Sequence, residues 1–240
     1  MFFEMRNVTK SFGGLAAVRE MALELREREM VGLIGPNGAG KTTIFNLISG
    51  MYRPDRGEIR LRGASLVGCR PHEICRQGVG RTFQLAKPFA SLSVLENVMI
   101  GSFCRTSDAG RAREQALAVL ETVGLEHRRD ALAGSLVAAE RKRLELAKAL
   151  ATRPQLLLLD EVMAGLNPTD IAQVLGLIRR INESGITLLI IEHVMGAIMQ
   201  LSQRIVVIHH GEKIAEGTPA EVASDDRVIE AYLGEEYLLA

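Results

Sequence analysis

At 240 residues, with 47% hydrophobic and 24% charged side chains, the chain can bury a large core, and a disordered polypeptide is excluded. Its 29 Lys and Arg balance 29 Asp and Glu, so broad attraction to nucleic acid or an anionic membrane is not expected. The three cysteines, Cys69, Cys75 and Cys104, are odd in number and lack CxxC spacing, which points to free thiols in a reducing compartment. Glu4 and Arg6 interrupt any signal-like run, and the apolar runs 156–159 and 186–191 fall far short of the roughly 20 residues of a membrane span. A soluble, single-domain chain is expected, since no Pro/Ser/Gly-rich linker divides it.

Residues 2–34 read as β-rich, with strands over 3–8, 16–25 and 30–34 and a turn at Gly13-Gly14. Phe12, just before that turn, is either a core aromatic or a platform for an adenine ring. The stretch Gly35-Pro36-Asn37-Gly38-Ala39-Gly40-Lys41-Thr42-Thr43 then leads from an apolar strand into Ile44-Phe45-Asn46-Leu47-Ile48, giving strand, glycine loop, helix. In this pattern backbone N–H groups turn inward around nucleotide phosphates, and side chains at the glycines would keep the backbone from approaching. Lys41 supplies a cation for the β- and γ-phosphates, the Thr42 hydroxyl is placed for Mg²⁺, and the helix N-terminus faces the same anions.

Residues 54–63 alternate apolar and charged positions and predict a half-exposed strand. From about residue 71 to 152 the pattern turns helical. Ser93-x-x-Glu96 is a capping box; Ala116, Leu117, Leu120 and Val123 recur at helical spacing before Gly124; a third helix is predicted over 140–151. Leu156-Leu157-Leu158-Leu159-Asp160 suits a parallel strand buried on both faces. Asn167-Pro168 opens a helix with a stripe of Ile171, Val174, Leu175, Ile178 and Ile181, and Gly185 ends it. Residues 186–191 form another buried strand, and 205–208 pair with 213–215 across Gly211. Thr218-Pro219-x-Glu221 caps a small helix, and the last begins at Asp225. This order predicts an α/β fold: a single domain over 1–240, its nucleotide-binding core from 1–84 and 155–240, and a helical subdomain over 85–154.

Asp160 and Glu161 arrive together at the C-terminal edge of their strand, where the phosphate loop of such a fold lies. Asp160 is suited to holding Mg²⁺ through water and Glu161 to polarising the water that attacks the γ-phosphate; the bland alternative is a solvated acidic strand end. His193, ending the next strand, either donates a hydrogen bond to the γ-phosphate or merely terminates the strand. Gln84 is a Mg²⁺ ligand, a water-positioning amide or a surface residue.

Gly35 to Thr43, Gln84, the LELAKAL helix (144–150), Leu156 to Glu161, the AGLNP segment (164–168) and His193 resemble, in order and spacing, the ATPases of ATP-binding cassette (ABC) transporters. The resemblance covers essentially the whole chain. Within that family RTFQ (81–84), SVLENVMIG (93–101), AGLNPTD (164–170), IEHVM (191–195), GEKIAEGTPAEV (211–222) and RVIEAYLG (227–234) are similar to the ATPase subunits of branched-chain amino-acid importers and their relatives for urea and other amides. The resemblance implies a P-loop NTPase core of the ABC type, with an N-terminal antiparallel β subdomain and a helical insert. It assigns Phe12 to the adenine, Gln84 to Mg²⁺ and the transmembrane partner, Glu161 to the catalytic base and His193 to the γ-phosphate. ATP and Mg²⁺ are the implied ligands; permease subunits and a second ABC ATPase subunit are the implied partners, on the cytoplasmic face of the inner membrane.

One departure stands out. Where the family carries LSGGQ or LSYGQ, this chain reads Leu136-Val137-Ala138-Ala139-Glu140. In the family, the serine and the glycine backbone of this signature contact ATP held by the opposite subunit of a head-to-tail dimer. Val137 has no hydroxyl, and Ala139 adds a methyl group. Each lost charged hydrogen bond costs roughly 1.5–3 kcal/mol, so two losses weaken that composite site by about a hundredfold or more. An asymmetric heterodimer with one degenerate site is expected; the other arrangement, a homodimer of this chain, should be a poor ATPase. The alternative is a nucleotide-dependent clamp or scaffold with little ATPase activity. Val162 also stands where the family usually has proline.

Overall fold

The computed structural model describes residues 1–84 and 87–236; residues 85, 86 and 237–240 of the expected core and insert lie outside the described residues. Buried and exposed positions interleave along β1 (Phe3–Phe12) and β2 (Leu15–Leu25), with Phe3, Met5 and Val8 facing inward beside Met21, Leu23 and Leu25. With β4 (Arg56–Leu61) and β5 (Ala64–Ser65) they form an antiparallel sheet of order β2-β1-β4-β5. The second sheet comprises β3 (Met30–Ile34), β6 (Val79–Arg81), β7 (Leu156–Asp160), β8 (Thr187–Ile191), β9 (Arg204–His209) and β10 (Glu212–Gly217). Its order is β10-β9-β3-β8-β7-β6, and only the β9–β10 hairpin is antiparallel.

The central strands are apolar on both faces because each face has its own core. Leu156, Leu158, Leu189 and Ile191 join one cluster with the inner face of the antiparallel sheet and with Ile44, Phe45, Leu47 and Ile48 of α1 (Lys41–Ile48). Burial of such side chains contributes roughly 1.5–3 kcal/mol each, which pins α1 and the loop before it between the sheets. Leu157, Leu159, Leu188 and Ile190 face the opposite cluster, built with α3 (Val94–Ser102), α4 (Ala109–Val123), α5 (Ala138–Ala151), α6 (Pro168–Glu183) and α7 (Met195–Leu201). The remaining helices are α2 (Pro71–Gln77), α8 (Pro219–Ala223) and α9 (Asp226–Glu236). Among the described residues no helix is long and apolar enough to cross a membrane.

The punctuation residues act as their chemistry requires. Ser93 Oγ accepts from the Glu96 amide while Glu96 Oε2 accepts from the Ser93 amide, and Thr218 and Glu221 repeat this reciprocal pair. Gly124 closes α4 at φ 71°, and the Asn167 side chain caps α6.

Three features correct the sequence reading. The stretch 71–152 is not wholly helical, because β6 lies within it and pairs with β7 as the edge of the parallel sheet. Its three residues, Val79-Gly80-Arg81, are too few to show a two-residue period. Helix α7 had no capping signal, and its N-cap Val194 makes no side-chain hydrogen bond. Helix α5 starts at Ala138, inside the signature window, rather than at 140. The three cysteines are free thiols, with Cys75 and Cys104 Sγ 3.5 Å apart.

Gly101 on α3 faces α5 so closely that a Cβ there would lie 2.5 Å from the Lys148 carbonyl oxygen and 2.9 Å from Ala151 Cβ. Overpacking of this kind costs about 1–3 kcal/mol, so Gly101→Ala is expected to lower Tm by several degrees, read by thermal denaturation. An unchanged Tm would show that the two helices separate freely.

Candidate functional site

The loop between β3 and α1 is shaped by what it touches. At Gly35, with φ 153°, a Cβ would lie 2.1 Å from the Ile208 carbonyl oxygen; at Gly40, with φ 105°, it would lie 2.4 Å from that of Ala17. Only glycine fits either place. The β9–β10 turn locks the loop from outside, since the Gly211 amide donates to the Ala39 carbonyl (3.0 Å) and the Arg19 amide to the Gly211 carbonyl (2.8 Å). Lys41 curls inward and its ammonium donates to the carbonyls of Gly35 (2.5 Å) and Pro36 (2.8 Å). The resulting cavity of about 440 Å³ is lined by residues 37–43 on one side and by Gln84, Glu161 and His193 on the other.

Those last three residues meet in one cluster. Gln84 Nε2 donates to Glu161 Oε2 at 2.6 Å, and His193 Nε2 lies 2.6 Å from Glu161 Oε1, so each carboxylate oxygen has its own partner. Glu161 is 9% exposed and adopts φ 50°, a left-handed conformation that costs a non-glycine residue free energy and is held here by its amide bond to the Ile191 carbonyl (2.9 Å). Lys142 of α5 adds a second restraint, donating to the carbonyls of Gln84 (3.0 Å) and Glu161 (2.9 Å).

Asp160 ends β7 fully inside the protein. Burial raises its carboxyl above the ordinary range, an effect opposed by the Arg81 guanidinium 3.0 Å from Oδ2. Thr42, Asp160 and Gln84 line a neighbouring cavity of about 500 Å³. A hydroxyl, a carboxylate and an amide form a hard oxygen donor set. Among the described residues no group of three or more His, Cys, Asp or Glu gathers. That combination fits Mg²⁺, which takes one or two protein oxygens and completes its shell with phosphate and water.

Other predicted residues are placed differently. Phe12 is 43% exposed and meets Tyr52 edge-on, with centroids 5.1 Å apart, so it is not a core aromatic; the wall of the cavity on that side is Leu15 to Ala17 and Arg19. Leu136 is buried and Val137 is 62% exposed at the N-cap of α5. Glu140 Oε2 accepts from the Val137 amide at 3.1 Å, and none of 136–140 lines the cavity. Sequence reasoning gave no role to Arg81, Lys142 or Glu192. Arg81 and Glu192 had a signal in their places within the RTFQ and IEHVM segments, but all three act through partners 19 or more positions away in sequence.

Glu192 is 2% exposed, and its Oε1 accepts from the Met163 amide at 2.8 Å, tying the segment after Glu161 to the end of β8. Burial raises its carboxyl above the ordinary range despite the backbone N–H groups of Met163 and His193. A folded-state pKa raised above the unfolded value of about 4.3 means that the native chain holds the proton more tightly. Stability linked to Glu192 is therefore present at low pH and lost as pH rises through the folded-state value. Glu192→Gln, which keeps the Oε1 acceptor, is expected to flatten this loss. Melting curves at pH 4, below the unfolded value, and at pH 8 check it: the variant should gain on the native chain at pH 8, and parallel behaviour would refute the assignment.

Comparison with known proteins agrees with this geometry. The family profile "ABC transporter" matches residues 18–164, and that of "Branched-chain amino acid ATP-binding cassette transporter" matches 212–237. The chain is 42% identical over 240 aligned positions to the high-affinity branched-chain amino acid transport ATP-binding protein LivG of Salmonella typhimurium, covering 93% of this chain and 94% of LivG. Among solved structures, the ADP conformation of MJ1267, an ATP-binding cassette of an ABC transporter, superposes with TM-score 0.88 at 30% identity, over 97% of this chain and 98% of that one. The dimeric post-hydrolysis state of the cassette MJ0796, bound to ADP and Pi, superposes with TM-score 0.82 at 25% identity, over 91% and 99%. The glycine loop, the acids that end β7 and the histidine that follows β8 thus stand in a chain that belongs to the ABC transporter family, as one of its ATPases.

Proposed function

We propose that this ATPase powers an importer for branched-chain amino acids or a related small polar solute, acting beside permease subunits at the cytoplasmic face of the membrane. The observation that carries its chemistry is the Glu161 carboxylate, held by Gln84 on one oxygen and His193 on the other at the edge of the phosphate-loop cavity. Lys41 and the backbone N–H groups of 37–43 bind the β- and γ-phosphates, Leu15 to Ala17 form the wall that receives the adenine, and the exposed Phe12 ring is the aromatic assigned to it. Glu161 accepts the proton of the attacking water as its oxygen bonds to the γ-phosphorus and the bond to ADP breaks. Thr42, Asp160 and Gln84 would hold Mg²⁺, which would supply neutralisation of the phosphate charge. His193 reports the γ-phosphate, because its contact to Glu161 sits at the same edge. The solute class rests on the match over 212–237 and on the likeness to LivG, both of which concern branched-chain amino acids.

Cassettes of this family dimerise and pair with permeases. Against that background the signature window argues for a heterodimer. With Val137 at the N-cap, α5 has no side-chain hydroxyl there to offer a partner's nucleotide. ATP held by this chain turns over against a partner with a sound signature, while ATP held by the partner against 136–140 turns over slowly. The same observation would serve a clamp that binds ATP and scarcely hydrolyses it, and one experiment separates the two.

Glu161→Gln is expected to lower hydrolysis by about a hundredfold or more while retaining ATP and trapping dimers, measured by phosphate release and size-exclusion chromatography. A clamp would show little change. The purified chain alone should be a slow ATPase, and Val137→Ser/Ala139→Gly should raise its turnover about tenfold or more. Equal, fast rates for both proteins would remove the asymmetry. Leucine-stimulated ATPase in vesicles carrying the permeases and binding protein tests the solute class.

A further inference from the structure

Arg81 is a buried cation beside the site with partners on several elements. It closes β6, and its side chain is 8% exposed. Nη2 lies 3.0 Å from Asp160 Oδ2, while Nη1 donates to Asn46 Oδ1 at 2.6 Å and to Ser49 Oγ at 3.1 Å. The guanidinium carbon stands 5.6 Å from the centroid of the buried Phe45 ring and 5.1 Å from that of Phe83, which is 52% exposed. One planar cation therefore joins three elements: the edge strand β6, the acid at the end of β7, and α1 with its C-cap.

The important link is between Asp160 and α1. Asn46 follows Thr42 by four residues, so the two share a face of α1 about one turn apart. A fork that holds Asn46 with one nitrogen and Asp160 with the other sets the spacing between the Asp160 carboxylate and the Thr42 hydroxyl. A lysine in its place is a single point charge without that fork.

We propose that Arg81 is a positioning residue for ATP hydrolysis, a strut that fixes Asp160 and Thr42 at the separation one divalent cation requires. The proposal rests on the reading of Asp160 and Thr42 as the residues that hold Mg²⁺. It gives β6 a purpose beyond closing the sheet, because the segment running from Arg81 to Gln84 then carries both the strut and the amide that grips Glu161.

The test uses the full-length chain. Mn²⁺ binding in the presence of the non-hydrolysable analogue AMP-PNP is read by electron paramagnetic resonance, beside fluorescent-nucleotide binding in EDTA and steady-state ATPase kinetics. Arg81→Met is expected to weaken Mn²⁺ binding by about 10- to 100-fold and to lower kcat similarly. Metal-free nucleotide affinity should stay within about twofold, and KM should change much less than kcat. Arg81→Lys should fail to rescue. Asn46→Ala, which leaves both buried charges in place, should give a smaller loss in the same direction and carries the test should Arg81→Met not fold.

Native Mn²⁺ binding in Arg81→Met, full rescue by lysine, no effect of Asn46→Ala, or a parallel loss of metal-free nucleotide binding would each overturn the proposal. Asp160→Asn separates the underlying reading: if it too binds Mn²⁺ normally, the metal assignment falls and the strut with it. If Asp160→Asn is impaired and the Arg81 variants are not, only the strut is wrong.

Discussion

The parallel pairing of β7 with β8 is the constraint on which the site depends. Their register runs from Leu156 opposite Thr187 to Asp160 opposite Ile191, and both strands are buried throughout. Apolar burial on two faces fixes that register, since a shift by one residue would exchange the leucines between two differently shaped cores. The chain must then leave the sheet where Asp160 ends, and the Glu161 amide remains bonded to Ile191 while its backbone turns left-handed. Glu161 is thereby aimed back at the loop before α1. Hydrophobic layering supplies the free energy that holds this unfavourable backbone conformation in place.

The same arrangement concentrates charge. Asp160, Glu161 and Glu192 lie at one sheet edge, and the Glu161 charge raises the carboxyls of both neighbours. Lys142 lowers both, and Arg81 lowers Asp160. Buried like charges of this kind are costly in a fold that needs only stability, and they recur where an anionic site must meet a cation or a proton. The two basic residues enter from outside the strands that carry the acids, Arg81 from the edge strand and Lys142 from α5. Charge balance at the site therefore requires the sheet and the helices to be assembled together.

The sequence made local features legible. A capping box at Ser93 and Glu96, a glycine stop at 124, Asn167-Pro168 and a leucine run before two acids each carry their signal within a few residues, and the structure uses all of them. What it hid was set by distance. Arg81 meets Asp160 across 79 positions and Glu192 meets Met163 across 29, and no periodicity encodes such partners. β6 was missed because three residues, one of them glycine, form a strand only when β7 offers its edge. Phe12 was left open between core and ligand. Its exposure excludes the core, and that is a property of the turn's position against Tyr52 rather than of its neighbours in sequence.

Helix α5 ties these parts together. Its 14 residues form a rod of about 21 Å, with Val137 at one end, Lys142 next, and the buried Glu145 and its ion-paired Lys148 further along. Lys142 grips the backbone of Glu161 and Gln84, while Glu145 and Lys148 line the groove beside Phe83. The helix is thus continuous from its exposed N-cap to the backbone that carries Glu161. At Val137 the rod has no side-chain cap, a loss of about 0.5–2 kcal/mol relative to a serine or threonine that the Glu140 carboxylate does not restore. Glu140 accepts from the Val137 amide, whereas the missing hydroxyl would have accepted from the amides of the first turn. The first turn of α5 is therefore less firmly closed than the stretch around Lys142, which holds the backbone of Gln84 and Glu161.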